Sequence, residues 1–217
     1  MPYFQYGDKE TQALKAKDPI LGKAIEAIGH INRRVNHDVF EEMIDSIIAQ
    51  QISNKSAVTV SGRLREKVGE ITPFSVHHLP IEDIQSCGMS MRKAGYIKDA
   101  ARSAILGTPR LKSAMDFAMD KEMGNKVFNL DTLHEETDEA IIKILSNLNG
   151  IGKWTAQMLM IFAMERPDVI SYDDLAIRRG ICKLYGLEAL SKKEFEAYQA
   201  RYSPYGSVAS FYIWHSS

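Results

Sequence analysis

Two glycines separated by a single residue stand near the middle of the chain, in the stretch Leu148-Asn149-Gly150-Ile151-Gly152. An amphipathic run precedes them and a second apolar run comes after them. The segment therefore predicts two helices joined by a tight hairpin over about residues 138–164. Glycine tolerates positive φ and leaves space for an approaching group, and the first N–H groups of the second helix form an anion site. We expect a phosphate to bind there, at Gly150, Gly152, Lys153 and Thr155.

A pair of carboxylates stands at a fixed distance beyond the hairpin. Asp173 and Asp174 precede an amphipathic run, and Asp174 stands twenty residues after Trp154. Aspartate is a good N-cap, so capping alone explains the pair, above all Asp173. The spacing from the hairpin is what makes Asp174 a candidate for chemistry.

Composition limits the possible functions. The chain has 217 residues, an apolar content of 45% and a net charge of −1, so any affinity for nucleic acid comes from a local patch and backbone amides. Cys87 and Cys182 have no second ligand nearby in sequence, which argues against a zinc site, an iron–sulfur cluster or a disulfide framework. No apolar run reaches membrane-spanning length and no signal peptide opens the chain. We expect an intracellular protein without membrane contact.

Helical periodicity dominates the chain and predicts an all-α fold. One stripe is formed by Phe40, Met43, Ile44, Ile47 and Ile48, with Asp38 as the N-cap. The other predicted helices are 53–68, 80–86, 92–106, 137–145, 153–164, 174–185, 192–202 and 208–214. Residues 115–130 give no clear pattern, and a loop is predicted at 121–126.

The form L-x-G-I-G-x-W-T-A at 148–156, with D-x-x-I-x-R from Asp174 onward, resembles the helix-hairpin-helix DNA glycosylase superfamily. Within the superfamily, the chain looks most like the alkylpurine branch, the 3-methyladenine DNA glycosylase II type, over about residues 15–217. The resemblance implies two interleaved helical lobes around a cleft, forming a single unit over residues 1–217. It also implies a compact form without the N-terminal β domain of some members.

The resemblance assigns the catalytic positions. Asp174 occupies the position of the essential aspartate of the superfamily. Trp154 occupies the position at which the endonuclease III branch has its Schiff-base lysine, and Lys153 is one residue out of register. The implied enzyme is monofunctional, since no amine stands ready to attack the sugar.

Other segments of the resemblance imply contacts with DNA. Gln51 matches the wedge that fills the gap left by an extruded base, with Gln50 and Ser53 beside it in the minor groove; a solvated helix end is the alternative for both glutamines. Trp214 matches a tryptophan that lies against the target base. The rest of the implied base pocket is Trp154, Met158 and Tyr96, although Met158 fits a core position equally well. Gly206 replaces the arginine usual in the family.

The resemblance also implies an optional ion and a partner. The backbone carbonyls of Ser146, Leu148 and Ile151 are candidates for a monovalent cation, Na⁺ or K⁺, that ties the hairpin to a phosphate. No cofactor is required for the reaction. The expected partner is double-stranded DNA with damaged bases, bound by a monomer.

These residues suit the removal of cationic purines such as 3-methyladenine and 7-methylguanine. The target base is flipped out, its glycosidic bond is already weak, and one carboxylate stabilises the charge that develops on the sugar. Two alternatives remain open. A glycosylase for neutral lesions (hypoxanthine, etheno-adenine or mismatched adenine) usually needs a second acid, and a non-catalytic hairpin module that binds DNA needs neither Asp174 nor an aromatic pocket.

Overall fold

The computed structural model describes residues 2–112 and 127–217, and regular structure in these ranges is helical. An isolated antiparallel bridge joins Tyr3 to Arg34. The helices are α1 Asp8–Lys17, α2 Pro19–Ile28, α3 Val39–Ala49, α4 Asn54–Val68, α5 Pro73–His78, α6 Ile81–Gln85, α7 Met91–Gly107, α8 Pro109–Lys112, α9 Asp138–Ser146, α10 Lys153–Phe162, α11 Leu175–Tyr185, α12 Lys192–Tyr202 and α13 Gly206–Ser216. The all-α prediction is confirmed. Among the described helices, none is long and apolar enough to cross a membrane.

The chain divides into two compact units. The terminal unit comprises Met1–Asn36 and Met160–Ser217, and the central unit comprises His37–Leu159. Each unit is built from several helices. The hairpin and the wedge segment belong to the central unit, whereas Asp174 and Trp214 belong to the terminal unit.

Helix α3 forms the core of the central unit. All five residues of its predicted stripe, Phe40 to Ile48, are buried, and α3 packs against α4 and α7. Asp38 begins the helix as its N-cap, with its carboxylate accepting from the Glu41 N–H at 2.9 Å. The burial of one continuous stripe fixes the rotation of α3 and therefore the direction in which its C-terminal residues leave it.

The helices of the terminal unit pack closely around α13. A Cβ built on Gly180 of α11 would lie 2.3 Å from the Ile213 carbonyl oxygen, so only glycine permits this approach of α11 to α13. Buried Asp18 caps α2 and also accepts from the Tyr185 hydroxyl at 2.6 Å and the Arg201 guanidinium at 2.8 Å. One carboxylate thus links α2, α11 and α12.

Several elements differ from the sequence prediction. Helices α1, α2, α5 and α8 were not predicted, although Asp18 before Pro19 is a strong start signal for α2. Helix α10 ends at Phe162 rather than at 164, shortly before Glu165, whose φ of 49° is incompatible with continuing an α-helix. The loop predicted at 121–126 lies outside the described residues.

Candidate active site and nucleic-acid interface

The hairpin between α9 and α10 depends on Gly150. Its φ is +83°, and a Cβ there would lie 2.4 Å from the Tyr96 ring. Both the backbone conformation and the close approach therefore require glycine. Tyr96, predicted in the base pocket, packs its ring against this turn. Gly152 is exposed, and nothing lies within 4 Å of the position that a Cβ would take, so a bulky group can approach the backbone there.

A cavity of about 420 Å³ lies beside the hairpin. Seven predicted site residues line it, together with Ser46 and Ala49: Gln50, Gln51, Gly150, Gly152, Trp154, Thr155 and Met158. Trp154 is 43% exposed, an unusual state for so large an apolar side chain, whereas Met158 is buried. The structure therefore brings the proposed wedge, the hairpin glycines and two of the predicted pocket residues together in the central unit.

The segment after α3 has an uncommon backbone conformation. Gln51 is exposed and has a φ of +58°, in the left-handed region that residues with a Cβ rarely adopt. The neighbouring Gln50 donates from its side-chain amide to the Gly150 carbonyl at 2.7 Å. Lys93 donates to the Ile48 carbonyl at 2.8 Å and to the Gln50 carbonyl. These contacts join the end of α3, the start of α7 and the hairpin.

Exposed cations stand in the first turns of the helices that meet around Gln50. They are Lys55 in α4, Arg92 in α7 and Lys153 in α10. Ser53, also exposed, is the N-cap of α4 and accepts from the Ser56 N–H. Thr155 is only 6% exposed and belongs to the cavity wall. Of the two residues predicted to bind a phosphate with the hairpin glycines, Lys153 is therefore exposed at the start of α10, and Thr155 is enclosed in the cavity wall.

Asp174 is the N-cap of α11. One carboxylate oxygen accepts from the Ile177 N–H at 3.0 Å, and the residue is 8% exposed. Asp173 is exposed, so the capping role that the sequence favoured for Asp173 belongs to Asp174. The cap fixes the side chain, and the helix N-terminus stabilises negative charge on it. A fixed, largely buried anion is suited to stabilising a developing cation.

Trp214 belongs to an aromatic cluster in the terminal unit. Its ring stacks with Phe162 at 5.9 Å and with Phe211 at 6.1 Å between centroids. The Arg33 guanidinium lies 5.2 Å from the Trp214 centroid and within 6.0 Å of the other two. Burial lowers the pKa of Arg33. Sequence reasoning missed this arginine, because nothing near residue 33 in the sequence points to residue 214.

Gly206, at which the family resemblance led us to expect an arginine, begins α13. Its N–H donates to an Asp168 carboxylate oxygen at 3.0 Å, and a Cβ would lie 2.9 Å from the same oxygen. The second oxygen of Asp168 accepts from the Ser203 hydroxyl at 2.5 Å. Asp168 thus anchors the start of α13, and a larger side chain at 206 would have to displace that carboxylate.

The carbonyls predicted to hold a cation lie in the hairpin turn. Leu148 O accepts from the Ile151 N–H at 3.2 Å and so closes the turn. A carbonyl oxygen has a second lone pair, and oxygen ligands suit a hard monovalent cation. The donor set of Ser146, Leu148 and Ile151 is chemically compatible with Na⁺ or K⁺, and its occupancy stays a prediction.

Residues 44–204 match the family described as HhH-GPD superfamily base excision DNA repair protein. DNA-3-methyladenine glycosylase 1 of Schizosaccharomyces pombe is 29% identical over 182 residues, which cover 82% of this chain and 72% of that protein. The chain spans about two thirds of the length of its curated relatives: it covers 60% of one from Bacillus subtilis and 66% of one from Saccharomyces cerevisiae.

Solved structures of 3-methyladenine DNA glycosylases are also similar to this chain. A crystal structure of a DNA-3-methyladenine glycosidase from Bacillus halodurans has a TM-score of 0.79 and 28% identity, and the match covers 99% of this chain and 92% of that one. The S. pombe 3-methyladenine DNA glycosylase in complex with abasic DNA has a TM-score of 0.75 and 25% identity, with 95% of each chain covered. The superfamily predicted from the sequence is confirmed, and the helical fold of the described residues agrees with it.

Proposed function

The chain belongs to the HhH-GPD superfamily of base excision DNA repair proteins, and from that membership we propose that it is a monofunctional DNA glycosylase for alkylated purines. It binds duplex DNA as a monomer, flips out 3-methyladenine or 7-methylguanine, and hydrolyses the N-glycosidic bond. The observation that carries the proposal is the fixed, largely buried carboxylate of Asp174 at the start of α11. The names of the relatives support the choice of substrate class.

Flipping exposes a bond that the duplex otherwise shields. Gln51, on an exposed turn that lines the cavity, fills the vacated position in the base stack. The exposed Lys153 and the open backbone at Gly152 bind the phosphate on one side of the lesion. A monovalent cation on the carbonyls of Ser146, Leu148 and Ile151 would neutralise a further part of that phosphate's charge.

Bond cleavage then needs one anion. As the C1′–N bond lengthens, positive charge grows on the deoxyribose, and Asp174 stabilises that charge and orients the attacking water. The cationic purine leaves without prior protonation, so a second acid is unnecessary. Trp154 supplies no amine, and therefore the product is an intact abasic site rather than a cleaved strand.

The test is base release from duplex DNA treated with a methylating agent, with the products separated by chromatography. Wild-type protein is expected to release methylated purines, and Asp174→Asn is expected to release none while still binding an abasic duplex. If the wild-type protein binds the duplex but releases no base, the assignment as a glycosylase is wrong and a non-catalytic hairpin module is favoured.

A second candidate is supported by Arg33. Its guanidinium lies over the ring of Trp214, and a resident cation there opposes a cationic base stacked on the same indole. That contact favours neutral lesions such as hypoxanthine or etheno-adenine. Release of hypoxanthine at a higher kcat/KM than 7-methylguanine from matched oligonucleotides would establish this second function in place of the first.

A further inference from the structure

Two lysines of α7 make the same kind of contact at different places in the central unit. Lys93 donates to the carbonyls of Ile48 and Gln50 at the end of α3. Lys98 donates to the carbonyls of His77 and Leu79 at the end of α5, with 2.9 Å to Leu79. Burial lowers the pKa of both ammonium groups. Each lysine satisfies carbonyls that a helix C-terminus leaves without partners.

The two contacts differ in the backbone that comes after the helix end. Of the two carbonyls that Lys93 binds, that of Gln50 directly precedes Gln51, whose φ of +58° is disfavoured for a residue with a Cβ. The turn is held a second time by the Gln50 side chain, which donates to the Gly150 carbonyl at 2.7 Å. The backbone before Gln51 is therefore fixed to α7 by Lys93 and to the hairpin by Gln50.

We propose that Lys93 is a positioning residue that holds Gln51 in the conformation required for insertion into the DNA base stack. The inference rests on the proposed function, in which Gln51 is the wedge. Without the ammonium group, the Ile48 and Gln50 carbonyls lose their donor, and the turn relaxes toward backbone conformations with negative φ. Insertion would then require the turn to be ordered again in every binding event, which slows flipping.

Lys93→Met and Lys98→Met form a matched pair, since each removes a partly buried helix-capping ammonium from the same helix. Lys93→Arg restores a donor. Insertion is monitored with a duplex that carries a tetrahydrofuran abasic-site analogue next to 2-aminopurine, whose fluorescence reports stacking. Base release is measured with methylated duplex DNA. Thermal melts of all three variants measure the purely structural effect of each change.

We expect Lys93→Met to lower kcat about tenfold, with a smaller change in KM, and to reduce the 2-aminopurine signal. Lys98→Met should lower the melting temperature about as much as Lys93→Met does, but it should keep the wild-type kcat and fluorescence change. Lys93→Arg should recover most of the kcat and most of the fluorescence change. Because Lys93 acts through Gln51, adding Lys93→Met to Gln51→Ala should cause no further loss. If Lys93→Met does not fold, Gln50→Leu removes the other attachment of the turn and is expected to give the same fluorescence loss.

Equal losses in Lys93→Met and Lys98→Met would overturn the proposal, as would an additive loss in the double variant or an unchanged signal in a folded Lys93→Met. The fluorescence assay uses an abasic analogue and needs no catalysis. A wild type that inserts Gln51 but releases no base would therefore contradict the proposed function and leave the positioning role of Lys93 supported.

Discussion

The Arg33 guanidinium lies 5.2 Å from the centroid of the Trp214 ring. The same guanidinium is within 6.0 Å of the Phe162 and Phe211 rings, so a partly buried cation stands in the middle of an aromatic cluster. An indole ring attracts cations through its electron-rich face. Because Arg33 already lies over the Trp214 ring, Trp214 would attract a cationic base more weakly than a tryptophan without a neighbouring cation would.

Arg33→Leu is therefore expected to shift selectivity toward cationic bases. Removing the resident charge should raise the ratio of 7-methylguanine release to hypoxanthine release by about two- to thirtyfold, the range of a single cation–π contact. Release is measured on matched oligonucleotides, with exposed Arg34→Leu as the control. An unchanged ratio in a folded variant would show that Arg33 stabilises the cluster without affecting base choice.

Asp174→Asn and Asp174→Ala should separate the two roles of this residue. Asparagine is as good an N-cap as aspartate, whereas alanine loses the cap at about 1 kcal/mol. Both variants are expected to lose base release, because both lack the negative charge, but only Asp174→Ala should melt lower. Base release and thermal melts are measured in parallel, with exposed Asp173→Asn as the control. Base release by Asp174→Asn near the wild-type rate would move the catalytic role to another acid.

The sequence was sufficient for features that depend on neighbouring residues. The α3 stripe, the hairpin glycines and the cap at Asp38 are local patterns, and the structure has them where they were predicted. Contacts between distant segments have no such pattern. The Gln50–Gly150 hydrogen bond joins residues 100 apart in sequence, and it exists because the ends of two helices meet in the folded unit.

The candidate site was also only partly predictable from the sequence. The family resemblance assigned Gln50, Gln51, Trp154 and Met158 to the site, and all four line one cavity. Burial was less predictable, since the sequence did not indicate that Thr155 would be enclosed or that Asp174 rather than Asp173 would be the N-cap. Which of two adjacent acids caps a helix depends on the exact residue at which the helix begins, and sequence patterns leave that uncertain by a residue or more.

Wild-type protein is expected to form no borohydride-trappable adduct with DNA and to leave the strand uncut. A Schiff base needs an amine next to C1′. The position that the family resemblance assigns to the Schiff-base lysine is occupied here by Trp154, an exposed residue of the cavity wall. Trp154→Lys places an amine in the same cavity wall and serves as the positive control for trapping. A wild-type adduct seen by gel electrophoresis after reduction would contradict the monofunctional assignment.

Glu42 should make the stability of the protein depend on pH. Burial, together with the charges of Asp45 and Glu41, raises the pKa of Glu42 from 4.5 to about 7. The folded state therefore binds this proton more tightly than the unfolded state. The contribution of Glu42 to the free energy of unfolding is highest below pH 4.5. It falls by up to about 1.4 kcal/mol per pH unit as the pH rises toward 7.

Glu42→Gln removes this titration. The variant is expected to be more stable than the wild type at pH 8, and its stability should vary less between pH 5 and pH 7. Urea unfolding at several pH values measures the difference, with the exposed Glu66→Gln as the control. Parallel stability curves for Glu42→Gln and the wild type would show that Glu42 ionises as an ordinary surface carboxylate.

Lys153 should contribute a salt-dependent share of the affinity for DNA. The chain carries a net charge of −1, so its attraction to DNA depends on a few cations at the interface rather than on the field of the whole molecule. Each phosphate that a protein neutralises adds about 0.9 to the slope of log K against log salt concentration. Lys153→Ala is therefore expected to reduce that slope by about 1 on an abasic duplex, equally for different flanking sequences, because a phosphate contact carries no sequence information. Lys23 is exposed in the terminal unit, and Lys23→Ala supplies a control that should leave the slope unchanged. A weaker affinity with an unaltered slope would mean that Lys153 supports the hairpin fold and does not bind a phosphate.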